Sequence, residues 1–185
     1  KKKTTFIDKN GISDPWKFSR IKKKINFNER EKKLLKLLDK FRGKGEFDCI
    51  VPGSGGKDSC FAAHILKEKY GIPFYLHPNE KSILDGYERD CAFFGITPKI
   101  TPKVDHWLSA GELKVSDFLI QCVETPGHTP GGTCLVINNH VFTGDTIFAG
   151  SIGRTDLPGG NWNTLCDSLV KVMENISHDY ILHPG

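Results

Sequence analysis

Two stretches of this chain set reactive side chains at spacings that chemistry can use. The first is Ser54-Gly55-Gly56-Lys57-Asp58-Ser59. Its glycines let the backbone turn tightly and aim several N–H groups at one anion. A helix following such a loop adds the positive end of its dipole. Lys57 can neutralise a phosphate, Ser54 and Ser59 can donate hydroxyls, and Asp58 suits either a magnesium ion bridging phosphates or a helix cap. The stretch reads as a nucleotide-phosphate loop, yet it is not a Walker A motif, because Val51 stands where the first Gly should be and Asp58 follows the lysine. The second stretch holds His128 in Thr125-Pro126-Gly127-His128-Thr129-Pro130-Gly131-Gly132 and Asp145 in Thr143-Gly144-Asp145-Thr146. A loop rich in Pro and Gly can hold an imidazole rigidly. A carboxylate after a strand can bridge two cations, and an imidazole suits zinc or iron. Two ligands alone make neither a closed nor a catalytic zinc site.

The elements that must position these residues follow from hydrophobic period. Asn28 to Phe41 predicts an amphipathic helix, capped by Asn28 with Glu31 at the capping-box position and ended by Gly43. Asp48 to Pro52 predicts a short buried strand. A helix from about Asp58 to Tyr70 follows the glycine loop, which makes the opening of an α/β nucleotide-binding unit. Phe74 to His77 predicts a strand and Ser82 to Phe94 a helix. From Gly95 the pattern turns to β, with strands at Phe118–Glu124, Cys134–Ile137 and His140–Thr143. Asn138-Asn139 is the hairpin turn between the last two. Leu165 to Ile176 reads as a helix and Tyr180 to Leu182 as a terminal strand.

Composition bounds the classes. The 185 residues are 38% hydrophobic and 26% charged, enough for a core and against wholesale disorder. Lys and Arg outnumber Asp and Glu by 16 to 5 in residues 1–45, although the net charge is only +4. With no aromatic interleaving, that basic arm reads as a solvated helix and its leader rather than a nucleic-acid surface. Six scattered cysteines form no Cys-x-x-Cys pair and read as small buried hydrophobes. No apolar run reaches membrane-spanning length and no signal peptide is recognisable, so the expected location is cytoplasmic, without membrane partners.

The loop and strand from Phe47 to Gly71, with the charged helix before them, resemble the ATP-pyrophosphatase (PP-loop) superfamily, here the start of an N-acetyl sugar amidotransferase of lipopolysaccharide synthesis. That resemblance implies ATP and magnesium at Ser54, Gly55, Gly56, Lys57, Asp58 and Ser59, and a glutaminase partner supplying ammonia. The second set resembles the metallo-β-lactamase superfamily, nearest its glyoxalase II-like hydrolases. Its pieces come in family order: Tyr75-Leu76-His77-Pro78, Thr125–Gly132, Thr143–Phe148 and Gly153–Gly160. It implies His128 and Asp145 as metal ligands, a two-metal zinc or iron centre in the intact family, and thioester or related acyl hydrolysis of a small molecule. The family's first motif, His-x-His-x-Asp-His, is not in this chain, and its last ligand follows a Pro-Gly pair such as Pro184-Gly185. His64, His77, His106, His140 and His178 read as structural or surface residues, and Arg154 and Asp156 as fixing a turn.

The expected fold class is α/β. Residues 1–71 comprise the basic leader, the amphipathic helix and a strand–phosphate-loop–helix fragment of a Rossmann-like PP-loop unit. Residues 72–185 comprise the C-terminal half of an αββα metallo-β-lactamase fold, whose uncovered apolar surface would favour self-association. Three functions follow: a metal-dependent hydrolase, an ATP-dependent amidotransferase, or a catalytically inactive composite of the two.

Overall fold

The computed structural model describes residues 7–43, 45–53, 63, 66, 67, 70–93 and 101–185. Two compact units divide the chain at Lys1–Cys49 and Ile50–Gly185, upstream of the expected join at residue 71.

The first unit contains α1 (Asp14–Lys23) and α2 (Phe27–Leu38). Pro15 in the first turn and basic residues in the last suit α1 to helix geometry and dipole. The start of α2 differs from the expectation. Asn26 is its cap, accepting the Glu29 N–H at 3.1 Å, so the capping pair lies two residues upstream of Asn28 and Glu31. Both registers offer Asn followed by Glu three residues later, and the N-terminal one forms. The helix stops at Leu38 with Asp39 as its C-cap, short of the expected Phe41, and Gly43 takes φ +70° in the turn that follows instead of ending the helix itself. The stripe Leu34, Leu35, Leu37, Leu38 and Phe41 is exposed.

Asp48–Pro52, which straddles the boundary between the units, is not the buried strand expected. It lies outside regular structure, with Cys49 and Val51 exposed. A short apolar run becomes a strand only when a neighbouring strand takes its backbone hydrogen bonds. Helical geometry at residues 63, 66, 67 and 70 agrees with the helix placed there. β1 (Tyr75–Leu76) pairs in parallel with β2 (His106–Trp107). Asp105 secures this corner, accepting the Phe74 N–H at 2.7 Å and pairing with Lys67. A single 3-10 turn, Pro78–Glu80, leads into α3 (Lys81–Asp85) and α4 (Tyr87–Phe93). The one helix expected over Ser82–Phe94 is thus broken at Gly86, the residue with least to gain from helical geometry.

A five-stranded sheet carries the rest: β3 (Gly111–Val115), β4 (Phe118–Glu124), β5 (Thr133–Ile137), β6 (His140–Gly144) and β9 (Ile181–Pro184), in the order β3-β4-β5-β6-β9. Neighbours are antiparallel except β6 and β9. A parallel pair needs a long crossover, and α5 (Trp162–Asn175) supplies it. Leu165, Ser168 and Val172 are spaced by three and four residues, which places them on one helix stripe, and all three are buried.

 
Val172 packs there with Val123, Cys134 and Val141 of the sheet, and Val136, Ile147, Ile176 and Tyr180 surround the cluster. Side chains alternate along each strand, so the face carrying Val123, Cys134, Val141 and Thr143 lies against α5, and Ile120 and Cys122 fall on the other. Asn138 takes φ +54° in the β5–β6 turn, as asparagine permits. A two-stranded ribbon, β7 (Ile147–Phe148) and β8 (Ser151–Ile152), follows β6.

Candidate functional site

The site is built where β4 ends, β6 ends and α5 begins. The loop after β4 closes on itself through the Thr125 N–H, which donates to the Gly132 carbonyl at 2.7 Å. Gly132 has no room for a side chain, since a Cβ would come 2.5 Å from the Thr125 oxygen. Gly127, at φ +134°, lies against the first turn of α5, where a Cβ would meet Leu165 Cα at 2.4 Å. Its carbonyl accepts the Asn161 N–H at 2.8 Å, and Asn161 in turn caps α5 by accepting the Thr164 N–H at 3.0 Å. The loop and the helix start therefore form one hydrogen-bonded piece, with His128 at its tip.

Asp145 leaves the end of β6 in a turn that the Thr146 N–H closes onto the Thr143 carbonyl at 3.1 Å. Thr143 is buried and donates its hydroxyl to the Ile147 carbonyl at 2.8 Å. Beneath the two loops, the buried Thr125 and Thr146 hydroxyls meet at 3.1 Å. Cys134 lies below them, 3.5 Å from the Thr125 hydroxyl, with its thiol directed at the Thr143 carbonyl. Burial pushes the Cys134 thiol up from its ordinary value, which keeps it a neutral donor rather than a thiolate.

His128 and Asp145 come together. Nε2 of the imidazole stands 3.5 Å from the Asp145 Oδ2, and the two side chains are 18% and 26% exposed. His128 Nδ1 lies 2.7 Å from the Arg154 carbonyl. A carbonyl only accepts, so Nδ1 carries a proton, and in the neutral ring Nε2 is then the lone pair that faces the carboxylate. Two acceptors then face one another across a gap that a cation would relieve. The set, one imidazole nitrogen and one carboxylate oxygen, matches zinc or iron chemistry. A backbone carbonyl holding the far nitrogen is the outer support a ligating histidine ordinarily has. Among the described residues no group of three His, Cys, Asp or Glu side chains forms a metal cluster.

Gly153 allows this closeness. A Cβ there would lie 2.0 Å from the Asp145 carbonyl oxygen and 3.1 Å from His128 Cβ. Arg154 and Asp156, expected to fix a turn, pair with one another on the surface at 2.7 and 2.6 Å in a stretch without regular structure. The guanidinium holds the Asp156 carboxyl down at about 2. The part of Arg154 that reaches the site is its main-chain carbonyl, which a reading of side chains passes over.

The six residues Ser54 to Ser59 and His64 lie outside the described residues. His77 is buried, His106 stacks on Tyr75 at the β1–β2 edge, and His140 and His183 stack on one another across β6 and β9.

The family model described as the metallo-beta-lactamase superfamily matches residues 58–175, well over half of the chain. The chain belongs to the metallo-beta-lactamase superfamily. The match opens inside the glycine loop, at Asp58. Among curated superfamily relatives, the probable metallo-hydrolase YqgX of Bacillus subtilis is 39% identical over 56% of this chain and 51% of its own length. Hydroxyacylglutathione hydrolase GloC of Haemophilus influenzae is 32% identical over 71% of this chain and 64% of its own. The crystal structure of TTHA1623 in a di-iron-bound form is 31% identical with a TM-score of 0.60, covering 69% of this chain and 64% of that one. The chain thus spans about half to two thirds of these relatives. No helix among the described residues is long and apolar enough to cross a membrane.

Proposed function

We propose that this chain carries part of the metal centre of a glyoxalase II-like hydrolase, with His128 and Asp145 as ligands to zinc or iron and a small thioester or related acyl compound as substrate. The observation that carries this reading is the tautomer-locked imidazole facing a carboxylate at 3.5 Å. GloC, a relative named as a hydroxyacylglutathione hydrolase, supports the choice of substrate class. Bound there, the metal supplies Lewis acidity toward an acyl carbonyl and eases deprotonation of water. The chain's own residues orient that chemistry. The Arg154 carbonyl fixes the ring and its proton, Gly153 lets the neighbouring backbone pass against Asp145, and the Thr125–Thr146 contact holds the two loops in register. These two donors are a share of a centre rather than the whole of one.

The experiment is metal analysis of purified protein beside hydroxyacylglutathione hydrolysis, for the wild type, His128→Ala and Asp145→Ala. Losing an outer support costs about 10- to 100-fold in metal affinity, so losing either ligand should cost at least the upper figure. Equal metal content in all three proteins would overturn the reading. Metal uptake without turnover would leave the binding role and remove the hydrolytic one. The amidotransferase alternative, with its ATP, magnesium and glutaminase partner, draws on Ser54–Ser59, and neither the fold nor the relatives add to it.

A further inference from the structure

We propose that Glu80, with Asn79 and His77, is a positioning brace for His128, acting through the loop and not through the metal. The inference rests on the reading of His128 as a ligand. The single turn Pro78–Glu80, with its cap His77, lies about fifty residues before the His128 loop in sequence, and together they touch that loop at both ends. At the entry, buried His77 meets Glu124, the last residue of β4, through Nε2 and Oε1 at 3.1 Å. His77 Nδ1 accepts the Asn79 N–H at 3.3 Å, so Nε2 carries the proton and donates it to the carboxylate. At the exit, Glu80 Oε1 accepts the Gly131 N–H at 2.6 Å, and Asn79 Nδ2 donates to the Pro130 carbonyl at 3.4 Å. Gly131 is shaped to this contact, because a Cβ there would come 2.7 Å from Glu80 Cγ and 2.9 Å from His77 Nδ1.

The energetics favour Glu80 as the main member. A carboxylate accepting a backbone N–H is a charge-assisted bond, roughly twice as strong as a neutral one. The Asn79 contact is long by comparison. His128 sits between the two braced ends, and its ring meets Arg154 and Asp145 from a loop with few side chains of its own to hold it. Fixing Gly131 removes the freedom of the two residues that separate it from His128. A ligand confined in this way loses less entropy on binding a cation.

The test compares Glu80→Ala with Glu80→Gln, whose amide oxygen can still accept the Gly131 N–H. Three readouts are taken on the full chain: amide exchange of residues 127–132, the His128 Nδ1–H resonance, and Co2+ affinity by absorption. Glu80→Ala should raise exchange at Gly131 and the Co2+ Kd each by about tenfold and broaden the His128 signal, leaving the Val141 amide protected. Glu80→Gln should restore most of all three. Asn79→Ala, losing only the Pro130 contact, should shift them the same way by less, and it decides the matter if Glu80→Ala does not fold. Unchanged Gly131 exchange and His128 signal in Glu80→Ala would overturn the brace, as would a Gln variant no better than the Ala variant. A wild type that takes up no Co2+ would sink the metal reading alone, because the exchange and ring signals would still judge the brace.

Discussion

His128 depends on neighbours that offer it backbone rather than side chain. The Arg154 carbonyl decides which nitrogen holds the proton, and Gly153 decides how near the Asp145 turn can approach. Gly153→Ala should therefore be costly although its backbone needs no left-handed conformation. The added Cβ meets a main-chain oxygen that cannot swing aside, and overpacking of this kind costs about 1–3 kcal/mol. Urea denaturation would measure it, and a variant as stable as wild type would show that the turn can yield. Thr125→Val tests the hydroxyl pair under the site. It keeps the shape and leaves the buried Thr146 hydroxyl without its 3.1 Å partner, a loss of about 1–3 kcal/mol. The same denaturation series should report it.

At the scale of elements, α5 both covers the sheet and anchors the loop. Asn161 is its cap and also donates its N–H to Gly127. Asn161→Ala should cost about 1 kcal/mol through the lost cap alone, and Asn161→Ser should recover most of it by equilibrium unfolding. The end of β4 carries a pH dependence. The His77 hydrogen bond, more than any other contact, holds the Glu124 carboxyl below the ordinary glutamate value of 4.5. The unfolded chain then binds the proton first as pH falls, so the contribution is present above that value and is lost as pH drops through the lowered folded one. The stability gap between wild type and Glu124→Gln should accordingly narrow below pH 4.5. A gap constant across that range would remove Glu124 from the pH response.

For the whole molecule, the consequence is exposed apolar surface. Trp162, Val170 and Met173 of α5 and Ile181 and Leu182 of β9 are each close to half exposed or more, and α2 leaves its leucine stripe uncovered. Among the described residues β9 ends the sheet order, so its outer backbone edge comes with apolar side chains attached. Such edges pair with other chains unless charged or covered. Light scattering should show concentration-dependent association, and Ile181→Lys with Leu182→Lys should reduce it. A wild type monomeric at all concentrations would contradict this. On the sheet face away from α5, where an uncovered hydrolase face is expected, Ile120 and Cys122 are buried, and the exposed apolar residues lie instead on α5, β9 and α2.

The local patterns carried real information. Alternation marked β4, β5 and β6 to within a residue, Asn138 announced its turn, and the spacing Leu165, Leu169, Val172 announced α5, because each of these is set by neighbours within one or two turns of chain. The strings around His128 and Asp145 announced the family for the same reason. Competing local signals went astray where two answers were nearly equal, as at Asn26 against Asn28, or where a strand needed a partner, as at Asp48–Pro52. Only the tertiary structure set His128 Nε2 against Asp145, gave Nδ1 to the Arg154 carbonyl and brought Glu80 to Gly131. Those contacts join residues 17, 26 and 51 positions apart, and two of the three end on main-chain atoms, which every residue type possesses and no sequence pattern can therefore single out.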